Sequence, residues 1–340
     1  IQLLDRGLSL LWKSLSNNLK SAHKHSGRSK SDLLLDSWMS FSFFQKVVNL
    51  NTVLSLLRET FNEWQQDKVP ILAAALSYYM IFSIAPLLIL VIAVLGFIVG
   101  EQIAQEEVFT KLESVVGAEN AVSIQTVLKN QFSPSSNIRA TLVAIATILF
   151  GATTVFAQLK QALNMIWGVQ PKPGRGLKDF IKTRILSIFM VLGIGLILLL
   201  SLIISSVLSG TSEILEKYLF IPSFIWSLVD LAISFGLITL LFAQIYRVLP
   251  DVKIAWKDVG VGAAMTAVLF IIGKSVISLY LGQSSIASAY GAAGSFVVLL
   301  MWIFYSTQIF LFGAEFTQVW SRRYGSQIRP NKNATSTLRE

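Results

Sequence analysis

The sequence predicts an all-α, polytopic membrane protein: a six-transmembrane-helix bundle whose first hydrophobic segment is broken at a proline. Three observations predict it. Of 340 residues, 54% are hydrophobic and only 14% charged, against about 45–50% and about 25% in an average soluble chain. The apolar residues gather into six long runs with few charges inside them. The Lys and Arg residues between the runs alternate between rich and poor loops. A soluble fold of this length needs more charge than that to cover its surface.

A spanning helix needs about 20 mostly apolar residues. The runs place spans at about 70–100, 139–159, 185–209, 222–246, 259–281 and 293–316, with Asp230 and Lys274 interrupting the fourth and fifth. The first run, Val69 to Gly100, holds 32 residues, or about 48 Å as one upright helix. Pro86 stands in its middle, where it removes a backbone donor and crowds the preceding turn. A break is expected there, with Pro70 to about Ala85 as an interfacial or re-entrant elbow; a long tilted helix is the alternative.

Basic residues set the orientation. Nine Lys/Arg precede span 1, whereas the loop after it, Glu101 to Ile138, has five Glu and two Lys. The loop after span 2 carries Lys160, Lys172, Arg175, Lys178, Lys182 and Arg184. Lys217 is the one cation after span 3, Arg247, Lys253 and Lys257 follow span 4, and the loop after span 5 is uncharged. The tail is basic again. Both termini are therefore expected in the cytoplasm of a bacterium, with the chain in its inner (plasma) membrane.

The flanks are short. Residues 1–32 read as a cytoplasmic, partly disordered segment. Residues 33–68 read as an amphipathic helix on the cytoplasmic face, because Phe43, Val47, Leu50, Val53, Leu57, Phe61 and Trp64 recur at three- and four-residue steps. One or two short helices, Glu106 to Val116 and Ala121 to Lys129, are expected in the loop after span 1. Residues 69–318 form the membrane domain, and 319–340 a polar cytoplasmic tail that frays. No signal peptide is expected, since Asp5 and Arg6 interrupt the first apolar residues and no small-residue cleavage site follows.

Several chemistries are excluded. Without cysteine there is no disulfide, redox pair or thiolate metal site. The two histidines, His23 and His25, sit in a Ser/Lys-rich stretch and form no metal site. No metal, no cofactor and no nucleic acid is expected, the net charge of +9 being spent on membrane orientation. No G-x-x-x-x-G-K-[ST] loop occurs, so any transport would run without an energy domain in this chain.

Local strings are more specific than hydropathy. Ala73-Ala74-Ala75-Leu76-Ser77-Tyr78-Tyr79 leads into Phe82-Ser83-Ile84-Ala85-Pro86-Leu87. Leu163-Asn164-Met165-Ile166-Trp167 follows span 2, and Tyr246-Arg247-Val248-Leu249-Pro250 closes span 4. Gly262-Ala263-Ala264, Gly273-Lys274 and Tyr280 mark span 5. Tyr290-Gly291-Ala292, Trp302 and Leu311-Phe312-Gly313-Ala314-Glu315 mark span 6. In this order the chain resembles the YihY/BrkB family of bacterial inner-membrane proteins from about Trp64 to Trp320. The resemblance implies a six-span protein with no assured activity. Some members were labelled virulence factor BrkB and some ribonuclease BN. The residues do not support the second label, because a phosphodiesterase needs a carboxylate/His cluster facing water.

Candidate working residues follow from cost, since an ionisable group in a bilayer is expensive. Asp230 and Lys274 lie at matching depth, on the order of 10 Å below the outer surface. Together they are either an ion pair that fixes register or part of a polar cavity for a charged substrate group. Tyr78, Tyr79 and Ser83 are candidates for the cavity wall; the alternative is interfacial tyrosines beside an ordinary proline kink. Glu315 reads as an interfacial carboxylate beside Arg322 or Arg323. Pro86, Asn164, Trp167, Tyr280, Tyr290 and Gly291 read as structural motif positions. The clusters at Gly151, Gly193, Gly260 and Gly291 read as close helix packing. Lys172, Arg175, Lys178 and Lys182 are candidate contacts to anionic lipid headgroups.

The leading expectation is transport or handling of an amphipathic or anionic envelope component such as a lipid, rather than an enzyme. The alternative is a membrane scaffold recruiting envelope proteins. Membrane lipids are the expected partners, with a second copy or an envelope protein left open. In a chain without cysteine, Ser123→Cys should react with an impermeant thiol reagent on intact cells, and Ser326→Cys only after permeabilisation. The opposite labelling would invert the topology.

Overall fold

The computed structural model describes residues 50–117, 121–122, 124–125, 138–172, 176–219, 223–283 and 293–336; side chains at 50, 115, 138–145, 176–180, 205–219, 223–227, 230, 278, 281–283 and 295 are outside the description. The predicted disordered segment 1–32, the first part of the amphipathic stretch (33–49), Arg175, Tyr290 and Gly291 lie outside the described residues. The chain divides into two compact units, residues 1–57 and 58–340. The second holds the membrane helices and the candidate site.

The helices are α1 (Leu50–Gln66, ending within this unit), α2 (Val69–Val99), α3 (Glu101–Val116), α4 (Ile138–Ile166), α5 (Gly176–Leu219), α6 (Ser223–Val248), α7 (Trp256–Gln283) and α8 (Gly294–Arg323). Four short strands accompany them: β1 (Val169–Pro171), β2 (Val252–Lys253), β3 (Arg329–Pro330) and β4 (Ala334–Ser336). Five helical segments are long and apolar enough to cross a membrane among the described residues: Val69–Val99, Ile181–Ile204, Leu231–Val248, Trp256–Ile277 and Phe296–Arg323. Large apolar side chains point outward from them, such as Phe97 at 94% exposure and Leu279 at 65%. Water would disfavour such a surface; lipid does not.

α2 is the hub, packing on α3, α4, α5 and α8, while α7 packs between α6 and α8. Its ends are set by backbone chemistry. Pro70 occupies the first turn, where its missing N–H costs nothing. Gly100 stops the helix at φ +91, donates its N–H to the Gly96 carbonyl at 2.9 Å, and accepts from Ala104 at 3.1 Å to start α3. The helix runs through Pro86 without interruption, where the sequence suggested a break. The ring packs on a matched neighbour. A Cβ at Gly151 of α4 would lie 2.8 Å from Pro86 Cγ, so the bare glycine receives the ring that would otherwise hold the helices apart.

α7 and α8 interlock by a reciprocal device. Gly262 of α7 faces Thr317 of α8, and Gly313 of α8 faces Thr266 of α7. Each threonine hydroxyl donates 2.7 Å back to the carbonyl of the glycine four residues earlier, Thr266 to Gly262 and Thr317 to Gly313. The polar groups are thus satisfied within each helix while the backbones approach closely. Tyr246 of α6 caps the contact: its buried hydroxyl donates to the Phe310 carbonyl at 2.6 Å and lies 3.1 Å from Thr266 Oγ1.

The tail departs from the expected frayed segment. β3 pairs antiparallel with β2, and β4 with β1, so residues 329–336 hold the chain after α4 and the chain after α6. Asp258 fixes the approach by accepting from Ser326 N and Ser326 Oγ, both at 2.8 Å. The tail's polarity suits this role, because its donors meet loop acceptors.

Gly313→Ala would drive a methyl into Thr266 Oγ1 and to 2.7 Å from the Tyr246 hydroxyl. It should cost about 1–3 kcal/mol, read as a lower Tm in detergent. Gly236→Ala, whose site has no atom within 4 Å, should leave the Tm unchanged.

Candidate functional site

Three of the strings that carried the resemblance, Leu163–Trp167, Tyr246–Pro250 and Leu311–Glu315, meet at the end of the bundle where α4, α6 and α8 stop. Lys160 and Asn164 stand one turn apart on α4, so both reach the same neighbour. That neighbour is Asp251, which follows Pro250 in the turn after α6. Lys160 Nζ lies 2.7 Å from one Asp251 oxygen, and Lys182 Nζ of α5 lies 3.4 Å from the other. Asn164 closes the ring twice: its amide donates to Asp251 Oδ2 at 3.2 Å, and its oxygen accepts from the Asp251 backbone N–H at 2.9 Å. Lys160, Asn164 and Asp251 are all buried. Burial disfavours the Asp251 charge, but Lys160, then Asn164 and Lys182, outweigh it and hold the carboxyl below its usual range. Beside this knot, Trp167 Nε1 donates to the Ala314 carbonyl at 3.1 Å, and its ring meets Tyr246 edge-on.

Toward the middle of the bundle lies a cavity of about 330 Å³. Its walls come from α2 (Met80, Ser83, Ile84, Leu87, Leu88), α4 (Val155, Leu159), α6 (Leu241, Phe242, Ile245), α7 (Phe270) and α8 (Trp302, Ile303, Ser306, Thr307, Phe310). Leu112 and Val116 of α3 close one end. Lys274 fastens that closure: its Nζ donates 2.9 Å to the Ser114 carbonyl in the last turn of α3, where a cation also meets the negative helix end. The lining is almost wholly apolar. Within it, Trp302 Nε1 has no hydrogen-bond partner among the described residues.

The predicted site residues therefore separate. Ser83 lines the cavity, whereas Tyr78 and Tyr79 lie on the exposed face of α2, where Tyr78 meets Phe82 edge-on. Asp230 stands in α6, with its side chain outside the described residues. Tyr280 is exposed. Pro86 packs on Gly151, while Asn164 and Trp167 belong to the knot. Lys172 is exposed, and its backbone N–H donates to the Asn333 carbonyl at 3.1 Å. Lys178 stands in α5, with its side chain undescribed. Lys182 divides itself between Asp251 and a shallow groove lined by Ile181, Ile185, Leu186 and Phe189. Glu315 is fully buried, and Arg322 hydrogen-bonds Glu59 and Glu63 instead of it. Asp251, Lys160 and Trp302 were missed as site residues. The Leu-Pro-Asp turn and the i, i+4 pair Lys160/Asn164 were the available signals.

Residues 60–337 match the family described as virulence factor BrkB. The chain belongs to that family. Among its relatives, a UPF0761 membrane protein of Tolumonas auensis is 31% identical over 260 residues, covering 74% of this chain and 80% of that protein. One from Pseudomonas aeruginosa is 28% identical over 271 residues, covering 76% of this chain and 62% of that protein, so the chain spans less than two thirds of it. A Bacillus subtilis relative whose name calls it ribonuclease-like is 21% identical over 281 residues, covering 79% of this chain and 96% of that protein. No solved structure matches the chain. The BrkB-family chain is thus a multi-pass, all-α membrane protein.

The knot makes a signed pH prediction. A carboxyl lowered in the fold contributes stability above its unfolded value, near 3.8, and that contribution is lost as pH falls through the folded value. Lys160→Met should cost about 3–5 kcal/mol at neutral pH by leaving a buried carboxylate short of charge. Adding Asp251→Asn should restore much of the loss. Thermal unfolding in nanodiscs, compared between neutral and acid pH, measures both.

Proposed function

We propose that this BrkB-family protein handles an amphipathic, anionic lipid of the bacterial inner membrane, holding an apolar chain in the mid-bundle cavity. The observation that carries this reading is the cavity itself, with its almost wholly apolar walls. Ligand sites are commonly apolar enclosures of roughly 300–1,000 Å³ with a few placed polar groups. An ion or sugar would need converging polar side chains; an acyl chain needs the surface that is there. The exposed ammonium of Lys172 and the half-exposed one of Lys182 suit an anionic headgroup, with Arg175 and Lys178 as further contacts. The sidedness of these cations supports cytoplasmic termini, and α4, which packs on α2, supplies the sixth span. Asp230 and Lys274 would then stand near the α3 end of the bundle. Phosphodiester hydrolysis finds no support in the residues around the cavity.

The test uses the full chain in nanodiscs containing phosphatidylglycerol with a diazirine on its acyl chain. Irradiation should cross-link peptides carrying Met80 to Leu88 and Trp302 to Phe310. Ser306→Phe, which fills the cavity, should reduce that labelling severalfold while the Tm stays within a few degrees. Labelling confined to outward residues such as Phe189, and indifferent to Ser306→Phe, would overturn the reading.

A further inference from the structure

One buried titratable group belongs to neither the knot nor the cavity. Glu315 of α8 is 0% exposed, and neither of its carboxyl oxygens has a hydrogen-bond partner of ordinary geometry among the described residues. It faces the turn between α1 and α2. Asp67, two residues before α2, lies within hydrogen-bonding reach of it, and Glu63 of α1 acts on both carboxyls. The charged groups that bear on Glu315 are Asp67, Glu63 and Arg322. Arg322 is already committed, at 2.6 Å to Glu59 and 2.7 Å to Glu63. Arg323 pairs with Glu59 as well. Arg322 thus makes its hydrogen bonds to the outer carboxylates.

Ionised carboxylates only accept hydrogen bonds. Two of them at one buried site cannot both carry charge without repulsion and loss of solvation. A proton between them removes one charge and supplies the donor both oxygens need. Among the described residues, no group of three or more His, Asp or Glu is arranged to hold a metal ion, so the cation that fits is the smallest. Burial raises the Asp67 carboxyl above its usual range, its nearness to Glu315 works against this, and the charge of Glu63 adds to it.

We propose that Glu315 and Asp67 form a proton-binding site that joins the end of α8 to the entry of α2, with one proton held between two carboxyls. On deprotonation the O–H bond of one carboxyl breaks, the proton passes to water, and two carboxylates remain. Their repulsion falls on α2 and α8, the helices that supply ten of the cavity-lining residues. Proton release would then loosen the wall of the lipid site; that consequence rests on the lipid reading, whereas the proton site does not.

The experiment is infrared difference spectroscopy of the full chain in nanodiscs as pH is raised from neutral to alkaline. The wild type should lose one protonated-carboxyl C=O band per chain. Glu315→Gln should abolish that band, and Asp67→Asn should shift or abolish it. Thermal stability supplies the second readout. A site whose proton is held more tightly in the fold stabilises at low pH and loses that stability as pH rises. The wild-type Tm should therefore fall as pH rises from the ordinary carboxyl range through the folded value, and Glu315→Gln should flatten the fall. A band that survives both substitutions, or no protonated carboxyl at neutral pH, would refute the proposal. So would a Glu315-dependent rise in Tm on adding sodium or magnesium at constant neutral pH, which would make the site one for a metal cation. If Glu315→Gln does not fold, Asp67→Asn alone decides by the same band.

Discussion

Helices in lipid gain nothing from apolar contact alone, because the lipid tails they leave are as apolar as the side chains they meet. What holds such a bundle is close approach without polar debt. The paired Gly/Thr notches of α7 and α8 meet that constraint, and the other contacts follow from it. Thr266 and Thr317 satisfy their hydroxyls on their own helices, which leaves the glycine faces free to touch. That closeness brings Tyr246 onto Phe310 and Thr266, and Trp167 onto Ala314. The end of α6 is thereby fixed against α4 and α8, and Asp251 is placed where Lys160 and Asn164 can reach it.

The fold class was legible because hydropathy and charge act over whole segments. Apolar runs of twenty residues have few alternatives, and α2, α5, α6, α7 and α8 stand where five of those runs were. Particular contacts were not legible for the same reason. Pro86 reads as a break when α2 is considered alone, and nothing near it in sequence shows that its ring packs on Gly151, sixty-five residues later. The tail reads as frayed because its strands are two or three residues long and have no partners nearby in sequence. Their partners lie more than seventy residues upstream.

The site shows the same division. Cost identified Glu315 as a residue to explain, and the α8 string carried it, but its neighbour Asp67 stood outside every motif. Lys160 was absorbed into the orientation count, which sums charges and does not ask where an ammonium points, and Lys182 was read as a lipid contact rather than as a partner of Asp251. Asp251 was passed over as a loop acid. Tyr78 and Tyr79 attract attention by type, yet on α2 they share a turn with outward-facing residues, while Ser83 comes round to the interior. A helical period placed them on different faces; only packing decides which face is inside.

The pairing of β3 and β4 with β2 and β1 has a bearing on biosynthesis. The chain emerges N-terminus first, and its parts assemble in that order. The segments after α4 and α6 are delivered to the membrane surface long before residues 329–336 exist. Until the ribosome has made those residues, the strand edges of Val169–Pro171 and Val252–Lys253 have no mate. The bundle can insert span by span, but this end of it can be sealed only once synthesis has passed α8, so closure of the bundle is timed by translation.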